Sequence, residues 1–134
     1  MRCECSIAGS STTEPIGDRS EHNLFSYQFS CLGVDGLMKG AVYSASQVSE
    51  WDASKGTFLF VGGVHRTAGG LAVTQMLEGT GSIAMKDDKP AGTIGSGKAM
   101  FKFASGTLAQ LSGKTFKWTS KSIGPNRFEL EWTD

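Results

Sequence analysis

Apolar and polar residues alternate along most of the chain after residue 22. In residues 23–31, Phe25, Tyr27 and Phe29 fall on one side and serine and glutamine on the other, the period of two expected of a half-buried β-strand. Segments of the same kind cover residues 37–49, 57–67, 71–86, 93–103, 115–121 and 127–132. No part of this region sustains the apolar period of an α-helix. The pattern therefore predicts an all-β chain.

Short turns separate these segments. Glycine, aspartate, asparagine and proline cluster at residues 33–36, 52–56, 68–70, 87–92 and 124–126. Consecutive strands joined by short turns predict an antiparallel meander, closed into a small barrel of seven strands, or eight if residues 2–7 add one. We expect residues 1–22 to be a mobile lead-in, with or without that short strand, and residues 23–134 to be the barrel domain.

A simple register across the predicted hairpins assigns the two faces of the sheet. The expected inner face takes every aromatic side chain except Trp51, together with several aliphatic ones. Among its members are Tyr43, Ala45, Phe58, Phe60, Val64, Leu71, Val73, Leu77, Phe101, Phe103, Phe116, Trp118, Phe128, Leu130 and Trp132. An aromatic-lined interior of this kind is either packed solid or built around a pocket.

Polar residues also fall on this inner face, among them Gln47, Arg66 and Gln75. Unpaired burial of such groups is costly, so they either lie at strand ends in water or orient a ligand in a pocket. The second interpretation predicts a ligand-binding set of Tyr27, Tyr43, Gln47, Phe58, Phe60, Arg66, Gln75, Phe101, Phe103 and Trp118.

The opposite face of the middle strands carries apolar residues as well. The same register places Val42, Val48, Leu59, Val61 and Met76 there, with Thr74, His65 and Glu78. Because strands that are apolar on both faces need cover on both, we expect a homo-oligomer. His65 and Glu78 share this face about 20 Å apart, which indicates two unrelated polar groups; a slip of one residue would turn both inward.

Composition narrows the function further. Thirteen basic and thirteen acidic residues give no net charge, which argues against nucleic acid as a partner. Cys3, Cys5 and Cys31 are an odd set without CxxC spacing; they are buried thiols, or Cys31 is bonded to the N-terminal segment. No apolar run is long enough to span a membrane. The default location is cytoplasmic, or secreted or periplasmic if a signal peptide has been removed.

Motifs of known chemistry are incomplete. Residues 92–99 (GTIGSGKA) match a phosphate-binding loop except for Ala99 at the position of the metal-binding hydroxyl, and a strand follows instead of a helix. Two histidines without a cysteine–histidine cluster predict no metal site, and no serine lies in a GxSxG turn. We therefore expect no cofactor and name no catalytic residue.

Several segments together resemble the small barrels of the allene oxide cyclase-like and calycin-like type. They are the glycine-punctuated residues 77–84, residues 95–103 (GSGKAMFKF) and the turn at 104–113 (ASGTLAQLSG) before Lys-Thr-Phe-Lys-Trp. The resemblance covers about the last hundred residues, and it implies an eight-stranded barrel that binds a lipid or small molecule. Some barrels of this type catalyse cyclisation or isomerisation steered by pocket shape, so the resemblance also implies this activity as an alternative.

Three functions are consistent with these patterns. The first is binding of a small, largely apolar molecule in an aromatic cavity. The second is a cyclase or isomerase that uses the same cavity to hold one reactive conformer. The third is a structural or interaction protein with a filled barrel. An open cavity favours the first two over the third.

Overall fold

Eight antiparallel strands form one closed barrel in the computed structural model, which describes residues 1–134. The strands are β1 (Arg2–Pro15), β2 (His22–Gly33), β3 (Val42–Asp52), β4 (Lys55–Thr67), β5 (Gly70–Lys86), β6 (Lys89–Gly106), β7 (Thr115–Gly124) and β8 (Arg127–Thr133). Each strand pairs with the next along the chain, and β1 pairs with β8. The prediction of an all-β antiparallel meander closed into a barrel is confirmed, with eight strands.

The N-terminal segment contributes more structure than its sequence predicted. The expected short strand over residues 2–7 is part of a strand of 14 residues that reaches Pro15. Its first part, Arg2 to Ser6, pairs with β8 and closes the barrel, while its second part forms an extended hairpin with the start of β2. β1 therefore covers most of residues 1–22, the segment that the sequence predicted as a lead-in.

One end of the barrel is closed by its longer loops. The β2–β3 and β6–β7 connections each contain a short 3-10 helix, Gly36–Met38 and Ala109–Leu111. Met38 and Leu111 from these helices, with Leu108, are buried in the core. Neither helix has the length or hydrophobicity needed to span a membrane. The short β4–β5 turn lies at the same end, and the β1–β2, β3–β4, β5–β6 and β7–β8 connections lie at the opposite end.

A bulge in β4 changes the predicted faces of the middle strands. Val48 pairs with Phe60 but Ser49 pairs with Phe58, so Leu59 is an extra residue and the alternation reverses beyond it. His65 is buried inside, whereas Phe60 is 71% exposed. The predicted inward positions of Phe60, Val64 and Arg66 are wrong for this reason, and so is the predicted outward position of Val61 and His65.

Two further bulges lie in the next two strands, β5 and β6. Val73 pairs with Phe103 and Thr74 with Phe101, which makes Lys102 the extra residue and leaves Phe103 52% exposed. In β5 the inward residues are Ala72, Thr74 and Met76. The outer side of this strand carries Leu71, Val73, Gln75 and Leu77, so the prediction that these residues face inward is wrong. A bulge at Leu77 keeps Glu78 exposed, so the inward turn of His65 does not bring Glu78 with it.

A row of glycines makes room for aromatic rings inside the barrel. Gly56 pairs with Gly81, which pairs with Gly95. A Cβ atom at Gly56 would overlap the indole ring of Trp51, and at Gly81 or Gly95 it would press on the Phe58 ring. Trp51, which the predicted register left in a loop, thus lies in β3 against this row.

The three cysteines lie together in the buried core. Cys5 and Cys31 face each other on β1 and β2 and form a disulfide, while Cys3 is a free thiol with its Sγ atom 3.7 Å from that of Cys5. Of the two predicted states, the bond from Cys31 to the N-terminal segment is confirmed. Burial raises the pKa of Cys3 to about 12, so the remaining thiol stays protonated and unreactive.

Removing the disulfide tests its contribution to stability. The bond joins residues 26 apart, for which the loss of chain entropy in the unfolded state predicts about 3.5 kcal/mol. We expect the Cys5→Ala/Cys31→Ala variant to lose about that free energy of unfolding in urea titration. Cys3→Ala, which keeps the bond, is the control and should lose much less. Equal losses in the two variants would contradict this account.

Candidate functional site

An open cavity of about 230 Å³ lies inside the barrel. Most of its apolar wall is aromatic, formed by Phe25, Tyr27, Phe29, Tyr43, Phe58, Trp118, Phe128 and Trp132. Lys121, Ser122, Gly124, Asn126 and Arg127 also line it, which places the opening beside the β7–β8 turn. The closed end, with its two 3-10 helices, forms the opposite side of the molecule.

Edge-to-face contacts hold the rings of the wall in place. Tyr27 packs against Phe25 and Phe29 at centroid distances of 5.3 and 5.9 Å, and Phe128 from β8 packs against Phe29 at 5.2 Å. Phe58 meets Trp118 at 5.5 Å. Such pairs add roughly 0.5–1.5 kcal/mol each beyond the area they bury. The wall is therefore a fixed shape and not a loose lining.

The predicted ligand-binding residues separate into three groups. Those that line the cavity are Tyr27, Tyr43, Gln47, Phe58 and Trp118. Phe101 is buried in the core beside the cavity without lining it. Phe60, Arg66, Gln75 and Phe103 lie on the outer face, so their predicted inward position is wrong; the bulges at Leu59 and Lys102 are the cause.

Several lining residues were not in the predicted set. Phe25, Phe29, Phe128 and Trp132 lie on strands whose alternation was correctly interpreted, so the inner-face pattern itself could have supplied them. Thr74, Val61 and Met76 could not be found this way, because their inward position depends on bulges that leave no mark in the alternation.

Three buried side chains of the wall end in polar atoms that have no hydrogen-bond partner in the protein. They are Gln47 Oε1, Thr74 Oγ1 and Trp118 Nε1. Gln47 donates from its Nε2 to the Phe25 carbonyl at 3.1 Å, and this bond fixes which way the amide points. A buried polar group left unpaired costs about 1–3 kcal/mol. Because each of these atoms is itself enclosed by protein, it lies behind the cavity surface and not on it.

The buried tyrosine and histidine side chains at the cavity are uncharged. Burial raises the pKa of Tyr27 to about 12 and raises the pKa of Tyr43 as well, so both keep their hydroxyl protons. The ring of His65 stacks on Tyr43 at 3.8 Å and meets Trp132 edge-on. Burial lowers the pKa of His65 to about 3, so this imidazole is neutral at physiological pH. With Glu78 outside, His65 has no carboxylate to orient it as a general base.

A separate polar cluster lies at the β1–β2 hairpin. The two ring nitrogens of buried His22 each lie 2.5 Å from a carboxylate oxygen, Nδ1 from Asp18 and Nε2 from Glu50. Arg19 bonds both Asp18 and Asp52. His22, Glu50 and Asp52 bring potential ligand atoms within 4.8 Å of one another, but the guanidinium already neutralises Asp52. The cluster is thus an ion-pair network that ties the hairpin to β3.

The fold and cavity define the class of this protein. It is a closed barrel of eight antiparallel strands with one end covered and a cavity inside, an arrangement consistent with the calycin-like architecture. Searches against protein-family models, curated proteins and solved structures found nothing that matches the chain. The cavity's own chemistry is therefore the basis for a function.

The His22 cluster predicts a specific dependence of stability on pH. Hydrogen bonds to Asp18 and Glu50 raise the pKa of His22, so its contribution is complete below the unfolded value of about 6.5 and is lost as pH rises through the folded value. The hydrogen bond from His22 lowers the pKa of Asp18, so that contribution is lost as pH falls below about 3.9.

We expect the difference in melting temperature between the wild type and His22→Gln to be largest between about pH 4 and 6.5. Thermal unfolding followed from pH 3 to 9 measures it. Glu14→Gln, a carboxylate of the same hairpin outside the cluster, is the control and should show no such profile. A difference that grows as pH rises would contradict the assignment.

Proposed function

We propose that the protein binds a small, largely apolar molecule inside the barrel. The observation that carries this proposal is the open cavity of about 230 Å³, whose wall is mostly apolar and rich in aromatic rings. Cavities for drug-sized ligands are typically ~300–1,000 Å³, so the occupant is small, on the scale of a one- or two-ring molecule. A few polar groups within an apolar wall are the usual composition of such sites.

Packing energetics support the same proposal. Interiors of proteins are normally filled, and rings that face open space forgo dispersion contacts that a filled core would give them. Edge-to-face pairs join rings from strands that are not neighbours, such as Phe58 of β4 with Trp118 of β7, yet a cavity remains open beside them. A ligand would supply the missing contacts. The open cavity disfavours the alternative of a filled barrel that acts only through its surface.

An enzyme that uses the same cavity is the alternative form of this proposal. The wall below the rim carries no carboxylate, lysine or arginine, so a cyclase or isomerase of the allene oxide cyclase-like kind would have to act through shape. Turnover of a bound ligand distinguishes it from a binding protein.

We also propose that the protein forms a homo-oligomer through the outer face of β2 to β6. This face exposes Leu32, Val42, Phe60, Leu77 and Phe103. Leu32 pairs with Val42, and the half-buried Val64 and Val73 connect the strip to Phe103. A second copy offers the same apolar strip, and the zero net charge does not oppose its approach.

The disulfide supports an oxidising compartment over the cytoplasm. Buried bonds between neighbouring strands, like that of Cys5 with Cys31, persist in secreted and periplasmic proteins and are rare in reducing compartments. We therefore propose the secreted or periplasmic alternative.

Filling the cavity tests the proposed binding. Ala99 lines it from β6, and Ala99→Leu adds side-chain volume there; Met100→Leu changes the neighbouring residue on the other face. We expect Ala99→Leu to weaken binding of 2-naphthol by about tenfold or more in equilibrium dialysis, with Met100→Leu unchanged. Native mass spectra of the freshly purified protein should show a defined added mass. A bare protein that binds no aromatic probe would refute the proposal.

Removing exposed rings tests the oligomer. Phe60→Ser and Phe103→Ser, made singly, should shift the mass measured by light scattering toward the monomer, because each removes a large exposed apolar group from the strip. Ile123→Ser, an exposed apolar residue on β7 outside the strip, is the control. A monomeric wild type at micromolar concentration would rule out this interface.

A further inference from the structure

Three sulfur atoms meet inside the barrel, and none of their residues lines the cavity. Cys3 and Cys5 are alternate residues of β1, so both point inward, and Cys31 lies directly opposite Cys5 on β2. The three Sγ atoms all lie within 4.8 Å of one another. Because the three residues are only 2%, 1% and 3% exposed, they form a buried cluster that is separate from the proposed ligand cavity.

The disulfide accounts for only two of these cysteines. Cys5 and Cys31 form the bond, whereas Cys3 remains a thiol whose only polar contact is the Cys5 sulfur, 3.7 Å away. Bonds between a metal ion and thiolate sulfur are ~2.3 Å long, so sulfurs that share one ion lie ~3.5–4 Å apart. The Cys3 and Cys5 sulfurs already have this spacing, and breaking the disulfide frees the Cys31 sulfur to adopt it.

The disulfide also controls whether the cluster is able to bind an ion. In the oxidised protein it uses Cys5 and Cys31, which leaves a single thiol. A dithiol or phosphine reductant supplies two electrons, each of the two sulfurs gains a proton, and the reductant is oxidised. Three thiols then face one another across two paired strands. Such sulfur ligands favour soft ions over hard ones.

The surroundings of the cluster restrict which soft ion fits. No histidine, aspartate or glutamate joins the three sulfurs within the same distance, and the cysteines belong to the apolar core. Zn²⁺ in structural sites takes four ligands, and with three thiolates it would retain a negative charge. An uncompensated charge is costly in a buried place. A trivalent ion that needs only three ligands, such as As(III), is both neutralised and fully coordinated by three thiolates.

We propose that the reduced protein binds one trivalent thiophilic ion, As(III) or an ion of the same chemistry, through the sulfurs of Cys3, Cys5 and Cys31. In its neutral form arsenite carries three hydroxyl groups. Each thiol displaces one of them: an As–S bond forms, an As–O bond breaks, and the hydroxyl leaves as water with the thiol proton. Arsenic keeps its oxidation state, and the product is uncharged. The ion then links β1 to β2 where the disulfide did.

Arsenite titration of the whole protein tests this site. The protein is reduced with a phosphine, which leaves arsenite free, and circular dichroism follows the fold. Native mass spectra should show one arsenic for each chain, bound with the loss of three protons. The melting temperature of the reduced protein should rise with arsenite, because an ion that binds the folded state stabilises it. The oxidised protein should show neither effect. No bound arsenic, or a melting temperature that falls, overturns the inference and leaves the cavity proposal untouched.

Cys3→Ala distinguishes the three-sulfur site from an ordinary dithiol. The variant keeps Cys5 and Cys31 but lacks the third ligand, so after reduction it should bind arsenite at least about tenfold more weakly than the wild type. Met38→Leu alters another buried residue of the core and keeps all three thiols, so it is the control and should bind like the wild type. Equal affinity of Cys3→Ala and the wild type would show that two thiols suffice and would refute the site.

Discussion

Pairing of β1 with β8 turns an open meander into a barrel, and the interior exists only because of that closure. The contact is short, from Arg2 to Ser6 on β1, and it is supported on one side by the Arg2–Glu129 ion pair at 3.1 Å. On the other side the Cys5–Cys31 disulfide holds β1 to β2. Closure pairs the first strand with the last and directs alternate residues of every strand into one enclosed space. The cavity and its polar atoms are consequences of that geometry.

The alternation of residues predicted the fold class, and it placed side chains correctly wherever the strands are regular. On β2, β3, β7 and β8 it put Tyr27, Tyr43, Gln47 and Trp118 on the inner face, as the structure has them. It failed at Phe60, Arg66 and Phe103 because each lies beyond an inserted residue, and at Gln75 because the face of β5 was assigned from β4. Register has a period of two, so a single bulge reverses every side chain after it. Nothing in the local sequence distinguishes such an insertion from the regular strand.

The N-terminal strand was underestimated for a different reason. Its second half pairs only with β2 and extends past the barrel, so both of its faces meet water and no apolar alternation is needed. Threonine favours extended backbone, but it does not indicate which face of the strand is buried. The disulfide was likewise one of two open states, because spacing alone does not determine which cysteines lie opposite each other. Both features depend on pairing between distant parts of the chain.

Stability and binding make opposite demands on this interior. A filled, fully paired core would be more stable, whereas here a cavity and three unpaired polar atoms remain within a wall of rings. The devices that offset these costs lie outside the cavity: the disulfide in the core, the closed end with Met38 and Leu111, and the His22 network at the hairpin. Because the destabilising features lie in the cavity wall and the stabilising ones lie elsewhere in the barrel, the wall can stay rigid without being filled. That separation is what a pre-organised site requires, since a wall that collapsed into the cavity would leave no space for a ligand.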